Sequence, residues 1–340
     1  MSKLKFVLIG TGNIARTYVE ATKKVDCAEI AGVISRDIKR AEKYAAENGI
    51  PYSADSLSKI NCDFDGVFIA TPNGLHYLAC EEAASLGKHV LTEKPLDITV
   101  EHMDCMINAC KKADVKLGTT YQYRMRPDNI TIKKMLDENK FGKIYAVDLT
   151  LKFYRGQDYY DSADWRGTWK IDGGGPFMQQ GSHNIDILYW FLGMPEKVFA
   201  KASTFAHTGI EVEDHGIAFL EFAEGAIGTI TASTLAKPGF SPKLEVFTER
   251  GTFVMENDCI VLWDIDGIDN PAAPVKKAMH SAAKSAAVAD TSGHEAIIKD
   301  FVDAINNNTV PAVSGEDARH ATEIILAIYR SAREGKEIIL

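Results

Sequence analysis

Residues 5–15 read KFVLIGTGNIA, an apolar run followed at once by a glycine-rich turn and helix-forming residues. A short continuous apolar run is typical of a strand buried in a parallel sheet. Gly10, Gly12 and Ala15 match the pattern G-x-G-x-x-A, which permits a tight turn, a close approach of backbone to pyrophosphate, and close helix–strand packing. The helix that follows presents free N–H groups to an anion. We therefore predict a dinucleotide-binding turn formed by Gly10, Thr11, Gly12, Asn13 and Ile14.

Strands and helices alternate through the first 122 residues. Apolar runs at 28–35, 64–71, 88–95 and 115–123 are separated by helix-like segments. This alternation predicts an α/β domain with a doubly wound parallel sheet, which we place at residues 1–122. Ligands of such sheets bind beyond the carboxyl ends of the strands. The candidate cofactor contacts at those ends are Thr71, Pro72, Asn73, His76, Glu93 and Lys94.

The end of the second strand bears on the choice of cofactor. Ser35 and Arg36 stand where a chain specific for NAD usually has Asp or Glu to bind the ribose hydroxyls. Serine and arginine suit a 2′-phosphate better, so we predict NAD(P) as cofactor, leaning to NADP. Two alternatives stay open: Arg36 can be a solvated turn residue or stack on adenine, and Asp37 can turn back to the ribose.

Composition excludes several classes of function. The net charge of −9 argues against binding to nucleic acid, although it leaves room for a local basic pocket that takes a phosphate. The six cysteines form neither a C-x-x-C pair nor a Cys/His zinc pattern, so we expect free thiols and no metal. The sequence shows no targeting segment and no apolar stretch of membrane-spanning length. We therefore expect a cytoplasmic protein without a membrane partner.

The stretch GGGPFMQQGSHNID, residues 173–186, places three polar residues in an apolar surrounding. Gln179, His183 and Asp186 are spaced by four and three, so on a helix they share one face. Such a stripe either hydrogen-bonds into a core or lines a pocket. Lys94, at a strand end and before a proline, could hydrogen-bond a substrate hydroxyl and favour its alkoxide character.

Several motifs together resemble one family. GTGNIA, ATPNGLH, GKHVLTEKPL and GGGPFMQQGSHNIDILYWFLG occur in the order, and at about the separations, seen in the Gfo/Idh/MocA oxidoreductases, named for glucose–fructose oxidoreductase and inositol 2-dehydrogenase. The similarity extends through DWRGTWKIDGGG and EVEDHGIAFLEF to the closing AIYRSAREGKEIIL, and so covers nearly the whole chain. Agreement of several independent motifs in one order is far more specific than a single glycine pattern.

The resemblance implies a fold and an activity. The fold is an N-terminal Rossmann domain and a C-terminal domain with a large, mostly antiparallel sheet, here residues 123–340. The activity is hydride transfer between NAD(P) and a secondary alcohol or ketone of a sugar, sugar derivative or polyol. By position in the motifs, Lys94 and His183 would be catalytic, and Gln179 and Asp186 would join them in contacting substrate.

One departure from the family pattern concerns the histidine. The family often has Asp four residues before it, where this chain has Gln179. An aspartate would help to hold one tautomer and raise the basicity of His183, whereas a glutamine can orient the ring but adds no charge. The identity of the substrate is therefore open.

The second half of the chain reads as β-rich, with alternating apolar residues and turn-like segments. A broad sheet with one open face invites pairing between subunits, so we expect a homodimer or homotetramer.

A group of polar residues lies before the glycine run in the sequence. Its arginines could hold a carboxylate or phosphate, or could equally form ion pairs. From this group we assign Gln122 and Arg166 to the cofactor site.

Two alternative functions and one biased stretch remain. The chain could be a regulator that binds NAD(P) without turnover, or a dehydrogenase of the dihydrodiol type. The regulator reading predicts loss of the lysine or the histidine, and this chain has both. Residues 276–293, rich in Ala, Ser and Lys, read as a surface loop or a marginal helix.

Overall fold

Residues 3–272 and 290–340 are described by a computed structural model of the chain, and they divide into two units. The first unit comprises residues 3–122 and 290–319, and the second unit comprises residues 123–272 and 320–340. The segment 290–319 therefore belongs with the N-terminal residues. Assignment of one unit to the cofactor and the other to the substrate stays a prediction.

The first unit is built on a parallel sheet of six strands in the order β3-β2-β1-β4-β5-β6. Phe6, Val7 and Leu8 of its central strand have no exposed surface, as the apolar run predicts. This strand order belongs to the doubly wound fold, so the fold class predicted for the N-terminal half is confirmed. The strands are β1 (Leu4–Ile9), β2 (Ala28–Ile34), β3 (Tyr52–Ala54), β4 (Gly66–Ile69), β5 (His89–Thr92) and β6 (Leu117–Thr119).

The connections of this sheet are helical. They are α1 (Asn13–Lys23), α2 (Ile38–Asn48), α3 (His76–Ser85) and α4 (Val100–Lys112). α2 begins at an aspartate cap, Asp37, and ends at Gly49 in the left-handed conformation, as local helix signals predict.

The second unit is built on an eight-stranded sheet in the order β13-β12-β11-β7-β10-β9-β8-β14. All neighbouring strands are antiparallel except β7 and β10, which run parallel. The predicted large, mostly antiparallel sheet is therefore confirmed. The strands are β7 (Ile144–Lys152), β8 (Pro195–Ser203), β9 (His215–Phe222), β10 (Ile227–Ser233), β11 (Lys243–Thr248), β12 (Gly251–Glu256), β13 (Cys259–Ile265) and β14 (Ile338–Ile339).

The remaining helices follow in chain order: α5 (Pro127–Asp137), α6 (Gln157–Asp161), α7 (Ser182–Leu192), α8 (Ser292–Asn307) and α9 (Gly315–Glu334). α7 is buried at eight of its eleven positions and packs into the core of the second unit. A helix that is buried on most sides must satisfy its polar side chains within the protein. α8 packs on the first unit, where the ring centroids of Phe301 and Phe6 lie 6.4 Å apart.

Two further expectations meet the structure here. Residues 276–289 of the biased stretch lie outside the described residues, and its end leads into α8 at Ser292. Across 3–272 and 290–340, no helix combines the length and the apolar character that a membrane crossing requires.

Candidate active site

Gly10 is required by the packing of the first unit. Its φ is +111°, and a Cβ there would overlap the carbonyl oxygen of Ala70 at the end of β4. Its N–H donates to the Ile34 carbonyl at 2.9 Å, which joins the turn to β2. Only glycine adopts this conformation readily in so small a space.

Gly12 has no such requirement. It is the N-cap of α1 with an ordinary φ of −82°, and a Cβ there would meet no heavy atom of the described residues within 4 Å. The described residues therefore leave the space next to Gly12 at the α1 N-terminus open. Asn13 and Ile14 are the first two residues of the helix, and Thr11 precedes Gly12. An open space before a helix N-terminus is what a pyrophosphate needs, so the residues present fit a dinucleotide.

The segment after β2 carries two guanidinium groups. Arg36 is exposed, and Ser35 donates its N–H to the Ala54 carbonyl at 3.2 Å. The carboxylate of Asp37 accepts the N–H groups of Lys39 and Arg40 as the cap of α2. Asp37 thus caps α2, and a contact between its carboxylate and the ribose stays an alternative.

Arg40 was missed by sequence reasoning. One of its terminal NH₂ groups donates to the Thr11 carbonyl at 3.3 Å, which places a second guanidinium beside the glycine turn. The available signal was a second arginine four residues after Arg36.

His76 links two of the strand ends. Its ring is fully buried, with Nε2 3.1 Å from the Thr71 carbonyl and Nδ1 3.0 Å from the Pro95 carbonyl. The imidazole therefore holds the turn after β4, with Pro72 and Asn73, against the turn after β5. Contact of these residues with a cofactor stays a prediction.

Glu93 is held by a distant histidine. Its Oε1 lies 3.2 Å from Nε2 of His294, and both side chains are buried. Its Oε2 accepts the N–H of Lys94 at 3.4 Å, so the same carboxylate restrains the backbone of the lysine. His294 was missed because it lies 201 residues away in the chain, with no motif around it.

Gln122 is the last residue of the N-terminal part of the first unit. Gly293, at the start of α8, packs against it so tightly that a Cβ would lie 2.8 Å from Cγ of Gln122. The returning segment 290–319 thus contacts two residues that the sequence assigned to the cofactor site, Glu93 and Gln122.

In the second unit, the glycine run is packed against a buried glutamate. A Cβ on Gly174 would overlap the hydroxyl of Tyr329, and a Cβ on Gly175 would overlap the backbone carbonyl of Glu213. The Glu213 carboxylate accepts the N–H of Gly175 at 3.0 Å, that of Phe177 at 3.3 Å, and the Tyr329 hydroxyl at 2.9 Å. Burial raises the pKa of Glu213 to about 7, against the opposing effect of these hydrogen bonds.

The three polar residues of the stripe do not all lie on one helix. α7 begins at Ser182, so Gln179 lies in the preceding turn, where its Nε2 donates to the Asp172 carbonyl at 2.7 Å. The expectation of a shared helical face is therefore wrong for Gln179. The cause is the glycine run, because a turn closed by the Gln179 N–H and the Gly175 carbonyl precedes the helix.

His183 and Asp186 do lie on α7. The His183 ring is 8% exposed and stacks on Tyr123, with centroids 4.4 Å apart. Asp186 is fully buried, and its two oxygens accept Nε and a terminal NH₂ of Arg124 at 2.8 and 2.6 Å. The residue expected to touch substrate is thus one half of a bidentate ion pair.

Arg166 lies half-buried in the second unit. Its guanidinium carbon is 4.3 Å from the Tyr159 ring centroid and 4.8 Å from that of Trp165. Within the described parts of the chain, no cluster of three or more His, Cys, Asp or Glu side chains could hold a metal ion.

Two family models match this chain. One, described as an oxidoreductase family with an NAD-binding Rossmann fold, matches residues 4–121. The other, described as the GFO/IDH/MocA C-terminal domain, matches residues 130–254.

Similar proteins match along almost their whole length. The WlbA dehydrogenase of Bordetella pertussis, whose crystal structure contains NADH and UDP-GlcNAcA, is 31% identical with a TM-score of 0.88, covering 99% of both chains. The D-xylose 1-dehydrogenase (NADP(+)) 2 of Haloferax volcanii is 26% identical, covering 99% of this chain and 100% of its own. The inositol 2-dehydrogenase of Rhizobium meliloti is 25% identical, covering 98% of both.

Proposed function

We propose, from the premise that this chain belongs to the GFO/IDH/MocA family of oxidoreductases, that it transfers hydride between NAD(P) and a secondary alcohol or ketone of a sugar, sugar derivative or polyol. The observation that carries the proposal is the open space at Gly12, a glycine that the packing of the protein itself does not require. The relatives support the substrate class, since they are named for xylose and inositol, and the structure of one contains a nucleotide-sugar.

In this proposal His183 and Lys94 act on the substrate hydroxyl. His183 accepts the hydroxyl proton while the carbinol C–H bond breaks and its electron pair leaves as hydride, so that the substrate becomes a ketone. A bound NAD(P) would supply the nicotinamide ring as the acceptor of that hydride. Lys94 donates a hydrogen bond to the developing alkoxide oxygen. An imidazole suits the first task because it normally titrates near neutral pH.

The cofactor turn gives a direct test. Gly12→Val places a branched side chain in space that is free of atoms of the described residues, so the protein should fold normally and lose cofactor binding. Quenching of nicotinamide fluorescence measures binding, and circular dichroism checks the fold. Normal binding of NADH and NADPH by this variant would contradict the proposal.

The catalytic pair requires a kinetic test on a confirmed substrate. His183→Ala should lower the turnover number by about 10²–10⁴-fold and leave cofactor binding largely intact. Lys94→Ala should act on the same step, so the two losses should not add. The pH–rate profile of oxidation should lose an ionisation in His183→Ala. Lys111→Ala, which removes an exposed lysine paired with Glu316, is the matched control.

Two results would contradict this assignment. Near-parental turnover in both variants would place hydride transfer elsewhere. A parent protein that binds the cofactor tightly and turns over no sugar, polyol or dihydrodiol would favour the alternative of a regulator without activity.

The lean to NADP rests on Ser35 and Arg36, strengthened by the structural use of Asp37 as a helix cap. Arg36→Ala should weaken NADP more than NAD by roughly 1.5–3 kcal/mol, the value of a charge-assisted hydrogen bond. An equal loss for both cofactors would indicate stacking on adenine instead. Stronger binding of NAD than of NADP by the parent would refute the preference.

The open face of the second sheet supports a homo-oligomer. Phe199, Ile217 and Phe219 are 41–50% exposed on the neighbouring strands β8 and β9, and Phe199 and Phe219 are direct cross-strand partners. We propose that a second copy of this chain covers them. Light scattering should show a dimer or tetramer, and Phe219→Glu should shift it to smaller species. The cytoplasmic location stays a prediction.

A further inference from the structure

Two arginines of the second unit converge on one tyrosine. The guanidinium carbons of Arg155 and Arg166 lie 5.6 and 4.3 Å from the ring centroid of Tyr159. In a chain of net charge −9, two positive groups on one ring form a local basic site. A cation over an aromatic ring is stabilised by the electrons of the ring, but two like charges still repel each other.

Arg155 is held in place from several sides. Its N–H donates to the Thr234 carbonyl at 2.8 Å, and its carbonyl lies 2.9 Å from Nε2 of His207. Its guanidinium donates to the Tyr154 carbonyl at 2.8 Å. Burial lowers the pKa of Arg155, and the charge of Arg166 contributes in the same direction. A bound anion would oppose both effects.

Two neighbouring carboxylates accept backbone N–H groups, and Oδ2 of Asp214 also lies 3.2 Å from Nδ1 of His207. Asp172 accepts the N–H of Gly167 at 2.7 Å. Asp214 accepts the N–H groups of Phe205, Ala206 and His207 at 2.8–3.0 Å. These hydrogen bonds fix the loops around the arginine pair.

Two buried polar atoms, one within the arginine pair and one beside it, have no hydrogen-bond partner among the described residues. One is Nε of Arg166, a donor, and the other is Oε1 of Gln180, an acceptor. The Nε2 of Gln180 contacts the Tyr159 hydroxyl at 3.4 Å, which places the amide next to the same ring. A buried polar atom without a partner is unfavourable, so both atoms favour a ligand that supplies an acceptor and a hydroxyl.

We propose that Arg155, Arg166 and Gln180 form a subsite for an oxyanion of the substrate, a carboxylate or a phosphate, with the amide oxygen taking an adjacent hydroxyl. Gln180 stands three residues before His183, so the subsite belongs to the segment that leads into α7. Planar guanidinium groups suit the two oxygens of such an anion. The preferred substrates are therefore anionic sugar derivatives, namely sugar acids or phosphate-bearing sugars. This inference rests on the proposed function only in identifying the ligand as the substrate.

The test compares matched ligands that differ in charge. With cofactor bound, kcat/KM and calorimetric Kd are measured for glucose, glucuronate and glucose 6-phosphate, and for UDP-glucose and UDP-glucuronate. The parent should prefer glucuronate or glucose 6-phosphate over glucose, or UDP-glucuronate over UDP-glucose, by about tenfold or more. The first three ligands show whether the subsite binds a carboxylate or a phosphate. The two UDP-sugars show whether it binds the carboxylate of the sugar or the diphosphate of the nucleotide.

Arg155→Gln and Arg166→Gln should each lower the ratio of anionic to neutral kcat/KM by about tenfold or more. Arg166→Lys should restore the ratio only in part, because an ammonium group lacks the planar fork. Arg250→Gln, an arginine of the β11–β12 turn, is the control and should keep the parental ratio.

Several results would overturn the inference. The parent could show no preference for anionic ligands, or the variants could lose kcat/KM equally for charged and neutral ligands. A weakening confined to the binding of NADPH would assign the arginines to the cofactor. Calorimetry keeps the two proposals separate. Anion-specific binding that disappears in Arg166→Gln supports the subsite even where no ligand is oxidised, and in that case only the proposed dehydrogenase function fails.

Discussion

The two segments that carry the proposed catalytic groups are held in different ways. In the first unit, the turn after β5 is fixed mainly by backbone carbonyls, with His76 between two of them and Glu93 bonded to His294 and to the Lys94 N–H. In the second unit, the segment from the glycine run to α7 is fixed by buried charge. Arg124 pairs with Asp186 there, and Glu213 holds the glycines.

The difference has an energetic consequence. Removing one hydrogen-bond partner leaves a single polar group unsatisfied, whereas removing one half of a buried ion pair leaves an uncompensated charge. The second segment should therefore be more sensitive to substitution and to pH. All four tryptophans lie in the second unit, so their fluorescence follows that unit alone: Trp165, Trp169, Trp190 and Trp263.

The largest effect is expected from breaking the ion pair of α7. Arg124→Leu removes the guanidinium that pairs with the fully buried Asp186 and should destabilise the second unit by about 3–5 kcal/mol. Urea unfolding followed by tryptophan fluorescence measures this loss. The double variant Arg124→Leu/Asp186→Leu is the control and should be much closer to the parent. Equal losses in the two proteins would show that packing, and not the charge, holds this segment.

The next effect concerns pH. The pKa of Glu213 is raised by burial to about 7 in the folded protein, so the folded state binds a proton more tightly than the unfolded state. The contribution of Glu213 to the free energy of unfolding is therefore fully present at low pH. It falls by roughly 3 kcal/mol in total as the pH rises from the ordinary pKa of a glutamate towards 7.

Glu213→Gln should remove that slope. The difference in unfolding free energy between parent and variant, measured at pH 5 and at pH 8, isolates this group from others that titrate in the same range. A difference that does not change with pH would mean that Glu213 is charged throughout, and would contradict the greater pH sensitivity expected of the second segment.

A smaller effect is expected for the hydrogen-bonded turn of the first unit. His294→Leu leaves Glu93 without one buried partner and should cost about 1–3 kcal/mol. Since the first unit has no tryptophan, hydrogen exchange of peptides around β5 reports this loss. His294→Gln, which can still donate to the carboxylate, should recover part of the protection. A loss as large as that of Arg124→Leu would show that this turn, too, depends on charge.

The smallest effect is expected at the cap of α2. Asp37→Ala removes the acceptor for the N–H groups of Lys39 and Arg40 and should destabilise the helix by about 1 kcal/mol. Hydrogen exchange of α2 measures it. If the carboxylate acts only as the helix cap, affinity for NAD should not change. Selective loss of NAD over NADP would restore the ribose contact as the role of Asp37.

The fold was predictable because its signals are local. The apolar run of β1, the glycines after it and the alternation of strands and helices identify a doubly wound sheet from neighbouring residues alone. The same reasoning failed at Gln179, since a helical spacing in the sequence does not show that a glycine run delays the helix until Ser182. It also could not distinguish Gly10, which the packing requires, from Gly12, which it does not.

The sequence by itself determined the glycine turn, the two sheets and the chemical identity of the candidate groups Lys94 and His183, because strand and helix patterns depend on residues a few positions apart. Only the tertiary structure decided their partners. The pairs Glu93–His294, Glu213–Tyr329 and Arg124–Asp186 join residues 201, 116 and 62 positions apart. A buried polar group must find its partner wherever packing brings one, and such a choice leaves no periodic trace in the chain.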